Sequence, residues 1–129
     1  MVALAGAALL VAAVPAAADA AAFRKYVACG VSDKAKPSRF CKQRHKKGAF
    51  FRSTRADVRY SVCVRFPTKR SLCARGQRAD RGQLYVNRVR SNIVGRHVVF
   101  WFVKGKRVGR YVFVVMPNNP RNRNRNQRR

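Results

Sequence analysis

Alternation of apolar and polar residues between positions 57 and 66 constrains the fold of this chain more than any other feature of its sequence. A period of two, sustained over this length, is typical of a β-strand with one buried face. Pro67-Thr68-Lys69 has turn-forming chemistry, and Ser71–Arg75 can return as a second strand. The pattern therefore predicts a β-hairpin. Its apolar positions are Val58, Tyr60, Val62, Val64 and Phe66, and the residues between them are Arg59, Ser61, Cys63 and Arg65.

The four cysteines of the chain are Cys29, Cys41, Cys63 and Cys73. An even number in a small exported domain is typical of a disulfide framework, for which four cysteines allow three connectivities. Folding the hairpin about residues 67–69 places Cys63 opposite Cys73, close enough to bond, and elimination then pairs Cys29 with Cys41. Because none of the spacings is that of a zinc site, the sequence predicts these two disulfides and no metal.

Residues 1–20 have the pattern of a secretory signal peptide. The apolar run Val2–Val14 is too short for a membrane-spanning helix of about 20 residues. Pro15 follows it, and Ala18-Asp19-Ala20 offers a cleavage site. We therefore expect a mature chain that begins at residue 21 and is secreted, either extracellular or associated with the cell envelope. The alternative is a plain apolar helix. No later run is suited to spanning a membrane, so an integral membrane protein is not expected.

The rest of the chain contains short strand-like segments separated by turn formers and no convincing helical stretch. Segments of this length, at intervals of 8–12 residues, are typical of an all-β sandwich or barrel. The basic segment 32–47 is expected to be a loop that the disulfide between Cys29 and Cys41 closes. About seven strands are predicted, over residues 23–31, 49–52, 57–66, 71–75, 83–89, 97–103 and 108–116.

The last two strands, with the turn Lys104-Gly105-Lys106-Arg107 between them, are apolar on both faces, which favours a central position or cover by a partner. The stretch Gly95–Val115 contains a W-x-V-x-G turn at Trp101–Gly105 and an F-x-V strand at Phe113–Val115. It resembles the closing hairpin of immunoglobulin-like β-sandwich modules in secreted bacterial proteins. The resemblance implies an antiparallel immunoglobulin-like β-sandwich over residues 21–116, a role in extracellular binding or spacing, and no catalytic residues.

Charge indicates the partner. The predicted mature chain has 30 basic and 3 acidic residues, a formal charge of +27, and residues 117–129 form a basic Arg/Asn tail that we expect to be disordered. Such a surface attracts a polyanion, either a cell-wall polymer, a nucleic acid or an acidic lipid surface. The predicted polyanion-binding residues are Arg44, Lys46, Lys47, Lys104, Lys106, Arg107, Arg110, Arg121, Arg123, Arg125, Arg128 and Arg129.

Several other functions remain as alternatives to this non-catalytic binding module. The charge could be incidental to a structural or protein-interaction domain whose apolar hairpin face binds another chain. His45 and His97 supply groups that a secreted ribonuclease uses, and a cationic antimicrobial protein is the other remote alternative. Trp101 is expected in the core rather than as a stacking platform. With glutamate absent and no catalytic motif, we predict that the chain is not an enzyme and takes no cofactor and no small-molecule substrate.

Overall fold

Residues 21–118, the part of the chain that the computed structural model describes, form eight β-strands in two facing sheets. The predicted signal peptide and almost all of the predicted tail lie outside these residues. The strands are β1 (Phe23–Ala28), β2 (Phe40–Lys42), β3 (Lys47–Ser53), β4 (Val58–Arg65), β5 (Ser71–Ala79), β6 (Leu84–Val89), β7 (Gly95–Val103) and β8 (Lys106–Met116).

One sheet has three strands in the order β1-β3-β6, and the other has five in the order β2-β8-β7-β4-β5. Neighbouring strands are antiparallel, with the exception of β2, which runs parallel to β8. Both strands predicted to be apolar on two faces, β7 and β8, lie inside the five-stranded sheet. The all-β prediction is confirmed, with eight strands where about seven were expected.

The core lies between the sheets and is built by alternate residues of each strand. On β7 the side chains of Val99, Trp101 and Val103 point inward and alternate with residues that point outward. The rings of Phe51 and Tyr60 stack across the sandwich with centroids 4.1 Å apart. Trp101 is completely buried, so its prediction as a core residue is confirmed.

Both predicted disulfides are present. Cys63 and Cys73 are directly opposite residues of β4 and β5, as the hairpin register predicted. Cys29 follows β1 and bonds to Cys41 in β2, so this bond connects the two sheets at one edge of the sandwich. Cys63 is half-buried on the side of β4 that faces away from the core, which differs from the inter-sheet disulfide of antibody domains.

Every predicted strand differs from the observed one at one end or both, and three of the differences have a clear structural cause. The predicted loop 32–47 contains β2, which forms only because β8 is available to pair with it. Strand β5 continues to Ala79 through a bulge at Gly76, where φ is +64°. The turn between β7 and β8 is only Lys104-Gly105. Both residues have positive φ, +51° and +75°, as a two-residue type I′ hairpin turn requires, so the next two residues are already in the strand.

Candidate functional site

Alternate residues of the five-stranded sheet point away from the core and form its outer face. On β7 these are Arg96, Val98, Phe100 and Phe102, of which the last three are half-buried. The face as a whole is apolar and aromatic along its centre and basic on both sides. The neighbouring strands contribute Arg59, Ser61, Cys63 and Arg65 from β4, Arg107, Arg110, Val112 and Val114 from β8, and Phe40 from β2.

Phe100 and Phe102 form the centre of the outer face, with ring centroids 6.5 Å apart. The strand register places Arg110 opposite Phe100 and Arg107 opposite Phe102 on β8. The guanidinium carbon of Arg107 lies 5.6 Å from the centroid of the Phe100 ring, a cation–π distance. On β4, Cys63 is opposite Phe100. The aromatic pair therefore has arginines along β8 and the Cys63–Cys73 disulfide on its other side.

A groove of about 460 Å³ opens on the outer face beside the β7–β8 turn. The bulge in β5 creates it, because Arg75 and Gly76 both lie opposite Ser61 of β4, where regular pairing would place one residue. Phe102 and Lys104 line the side formed by β7. The remaining lining residues are Arg59, Tyr60, Ser61, Cys63, Arg75, Gly76 and Gly105, and none of the nine is acidic.

Few carboxylates are available to neutralise this charge. Residues 21–118 contain Asp33, Asp57 and Asp80 as their only acidic side chains. Asp57 forms an ion pair with Arg78 across 2.8 Å, and Asp80 lies in the turn before β6 beside Tyr85. The basic residues of the groove outnumber any acidic neighbours, so the groove has a positive potential that favours an anionic ligand.

The structure places the predicted binding residues in two separate groups. Lys104, Lys106, Arg107 and Arg110 are exposed at or near the β7–β8 turn. Arg44 and Lys46 are exposed in the turn that follows β2, near the opposite end of β8. Ten residues of strand separate the two ends, roughly 30 Å. The five predicted arginines of the tail, Arg121, Arg123, Arg125, Arg128 and Arg129, lie outside the described residues.

Lys47 is wrongly predicted as a binding residue. Its side chain is 2% exposed, and its Nζ donates hydrogen bonds to the carbonyl oxygens of Ser91, at 2.8 Å, and Gln43, at 3.1 Å. Burial lowers the pKa of Lys47. The ammonium group thus joins two chain segments and cannot reach an external anion.

The two histidines are held in separate structural positions. The Nδ1 atom of His45 accepts a hydrogen bond from the backbone N–H of Lys42 at 3.1 Å. His97 is completely buried, with its Nδ1 3.0 Å from the carbonyl oxygen of Gly95 and its Nε2 2.7 Å from Oγ of Ser91. Since a carbonyl only accepts, Nδ1 of a neutral ring carries the proton and Nε2 accepts from the serine hydroxyl.

Burial lowers the pKa of His97, and the nearby Lys47 ammonium lowers it further, whereas the hydrogen bond to Gly95 acts in the opposite direction. The contact between Ser91 and His97 resembles a nucleophile and its base, but Ser91 is only 8% exposed. This geometry gives the ribonuclease alternative no support. In residues 21–118 no three His, Cys, Asp or Glu side chains come together to hold a metal ion.

Sequence reasoning missed Arg59, Arg75, Phe100 and Phe102 as candidates for the site. The alternation in 97–103 separates Trp101 from the two phenylalanines, but does not say which set faces the core. Arg75 enters the groove because of the bulge at Gly76, and the sequence signal for that bulge is a single glycine inside a strand.

The strand order can be compared with that of known sandwiches. The sheets β1-β3-β6 and β8-β7-β4-β5 correspond to strands A-B-E and G-F-C-C′ of immunoglobulin domains. An immunoglobulin-like protein from Pseudomonas aeruginosa superposes with a TM-score of 0.50 and 8% identity, covering 73% of this chain and 91% of that one. The fold is immunoglobulin-like. At this identity, the likeness shows the fold alone.

A second solved structure is the alkylpurine DNA glycosylase AlkC of Pseudomonas fluorescens bound to DNA containing an abasic site analog. It superposes with a TM-score of 0.38 and 18% identity, covering 60% of this chain and 27% of that one, which is too low a score to indicate a shared fold. No protein-family model and no curated protein matches this sequence. In the described part of the chain, no helix has the length and apolarity needed to cross a membrane.

Proposed function

We propose that this immunoglobulin-like domain is a secreted, non-catalytic binding module that engages an anionic polymer through the outer face of its five-stranded sheet. The observation that carries the proposal is the basic outer face, where Arg107 and Arg110 flank the aromatic pair. The groove that adjoins the pair adds Arg59, Arg75 and Lys104 and has no acidic residue in its lining. Two disulfides in a small domain are typical of an oxidising compartment, which is consistent with export.

Charge density is the physical basis of binding. Each phosphate or carboxylate that contacts a cation releases condensed counterions, so the affinity falls steeply as salt increases. Arginine also binds an anionic group through two parallel hydrogen bonds, which a lysine ammonium cannot do. Because paired strands hold the backbone of the arginines on the outer face, ligand binding costs the entropy of their side chains and not that of the backbone.

A structural or protein-interaction role is the second candidate, because one observation favours it. Val98, Val112 and Val114 leave an apolar band on the outer face that a protein partner could cover. The two roles separate experimentally. Reversing the charge at the β7–β8 turn and removing residues 117–129 should weaken binding to a polyanion, whereas association through the apolar band would be nearly unchanged.

The proposal is tested by titrating the oxidised protein into fluorescently labelled polyphosphate from about 50 to 200 mM salt. The double variant Arg107→Gln/Arg110→Gln removes two charges from the outer face. The matched control, Arg88→Gln/Arg90→Gln, removes two exposed charges at the opposite sheet. We expect the first variant to lose much more affinity than the control and to show a shallower salt dependence. Equal losses in the two variants would mean that the charge acts without a defined site, and the proposal would fail.

A further inference from the structure

We propose that the anionic polymer is a single-stranded nucleic acid, whose bases stack on Phe100 and Phe102 while its phosphates contact the arginines beside them. This inference rests on the proposed function, because it uses the same outer face. It adds a substrate class and names the residues that distinguish this class from other polyanions.

The aromatic pair is placed where solvent can reach it. Phe100 and Phe102 are alternate residues of β7, a strand inside the sheet, and both point away from the core. Their centroids are 6.5 Å apart and the rings are tilted by 38°, so neither ring covers the other. Aromatic side chains at intervals along a basic surface are how proteins bind single strands without reading sequence, because every base has a π-face.

The cations lie where they can contact the sugar–phosphate backbone of a bound single strand. Arg107 and Arg110 are the β8 partners of the two phenylalanines, one strand spacing or about 4.8 Å away. With its stacked bases above β7, a single strand would carry its phosphates along this arginine row. The Arg107 guanidinium lies over the Phe100 ring, so a base at this position would stack on that planar group, and bases stack on guanidinium planes as well as on aromatic rings.

The groove provides room for the nucleotide next to the one that stacks on Phe102. It adjoins Phe102, and its volume of about 460 Å³ lies within the range of small-molecule sites. Ser61 offers a hydroxyl group that can hydrogen-bond to a base edge, and Arg59 and Lys104 offer cations for a phosphate. A base can enter such a groove only when it is free of a complementary strand, which favours a single strand over a duplex.

Other polyanions use this arrangement less well. Phosphodiester wall polymers and lipid headgroups have charge but no aromatic rings, so they would gain from the arginines and not from Phe100 or Phe102. A surface selected for charge alone does not require two partly exposed phenylalanines at its centre, since apolar area left in water is unfavourable. The combination of stacking surfaces with flanking arginines therefore points to a ligand with both bases and phosphates.

The test compares ligands of equal charge that differ in their bases. Labelled oligothymidylate, oligouridylate, an abasic deoxyribose-phosphate oligomer of the same length and polyphosphate are titrated with the oxidised protein at near-physiological salt. We expect both oligonucleotides to bind at least about fivefold more tightly than the abasic oligomer, the lower limit for one base–aromatic stack. Oligodeoxyuridylate, which has the base of oligouridylate and lacks only its 2′-hydroxyl, is titrated alongside, and the ratio of these two affinities distinguishes DNA from RNA as the preferred source.

Variants separate stacking from charge. Phe102→Leu retains apolar volume and removes the π-face, so it should lower the preference for oligonucleotide over abasic oligomer without changing the affinity for polyphosphate. Phe100→Leu should lower the same preference, but it also removes the ring that the Arg107 guanidinium contacts, so Phe102→Leu is the cleaner variant. Equal affinity for oligonucleotide and abasic oligomer in the wild-type protein would overturn this inference. The proposed function would still stand if both ligands lost affinity in Arg107→Gln/Arg110→Gln. It would fall if that variant behaved like Arg88→Gln/Arg90→Gln.

Discussion

Replacing Lys104 with asparagine should stabilise the domain and weaken polyanion binding at the same time. Lys104 has a φ of +51°, a left-handed conformation that costs a side chain other than Gly, Asn or Asp about 1 kcal/mol. Asparagine tolerates this region and should recover roughly 0.5–1 kcal/mol of the free energy of unfolding. For a domain of this size, that corresponds to a rise of about 2–8 °C in Tm.

The same substitution removes one cation from the groove. Losing one phosphate contact lowers the salt exponent for a single strand by about 0.7, which is about a fivefold loss of affinity at 0.1 M salt. Thermal unfolding followed by circular dichroism gives Tm, and anisotropy titration with oligothymidylate gives Kd. Opposite signs in the two assays are expected because the strained turn and the groove share this residue.

Lys69→Asn is a matched control for this prediction. Lys69 is also an exposed lysine with positive φ, +67°, but it lies in the β4–β5 turn at the other end of β4 from Lys104. It should gain similar stability with little change in Kd. A lower Tm for Lys104→Asn would refute the claim that the turn is strained at this residue. Equal losses of affinity in Lys104→Asn and Lys69→Asn would refute the claim that Lys104 binds the ligand in the groove.

Three further predictions concern the scaffold. Gly48→Ala should destabilise the domain by about 1–3 kcal/mol, measured by urea denaturation. A Cβ at this position would lie 2.7 Å from Cγ2 of Val86 and 2.9 Å from the carbonyl oxygen of Gly30. Unchanged stability would show that the backbone can move to accept the methyl group. Acidification should lower the free energy of unfolding once the pH falls below about 6.5, the pKa of histidine in the unfolded chain. Burial lowers the pKa of His97 in the folded protein, so the unfolded chain takes up the proton first. His97→Phe should flatten that slope, and an unaltered slope would assign it to another group. Removing the Cys63–Cys73 bond by a double substitution to alanine should cost about 2–3 kcal/mol from loop entropy, and a loss below about 1 kcal/mol would contradict the entropic account.

The β4–β5 hairpin was predictable because its signals are local. Alternation from Val58 to Phe66 fixes which face of β4 is buried, and the turn at 67–69 fixes the register that pairs Cys63 with Cys73. Both signals involve neighbours in the chain, and no other part of the protein is needed to interpret them. The C-terminal hairpin was predictable for the same reason.

Features that depend on distant segments were not predictable. Strand β2 has three residues in a basic loop and forms because β8, more than 70 residues later, offers an edge for pairing. Lys47 is buried because two backbone carbonyls, one of them 44 residues away at Ser91, replace its water. The groove depends on the bulge that inserts Arg75 and Gly76 opposite Ser61. In each case the contact that determines the structure is made with a residue too far along the chain for a local sequence pattern to reveal it.

The parallel pairing of β2 with β8 has a consequence for the response of the domain to force. Tension between the two ends of the domain would first peel β1, but the Cys29–Cys41 bond would transfer the load directly to β2. Because β2 and β8 run in the same direction, the two strands would then be pulled along their length in opposite senses. Their hydrogen bonds would be loaded together in shear rather than opened one after another. A domain tethered through its ends would therefore resist extension until these bonds broke as a group.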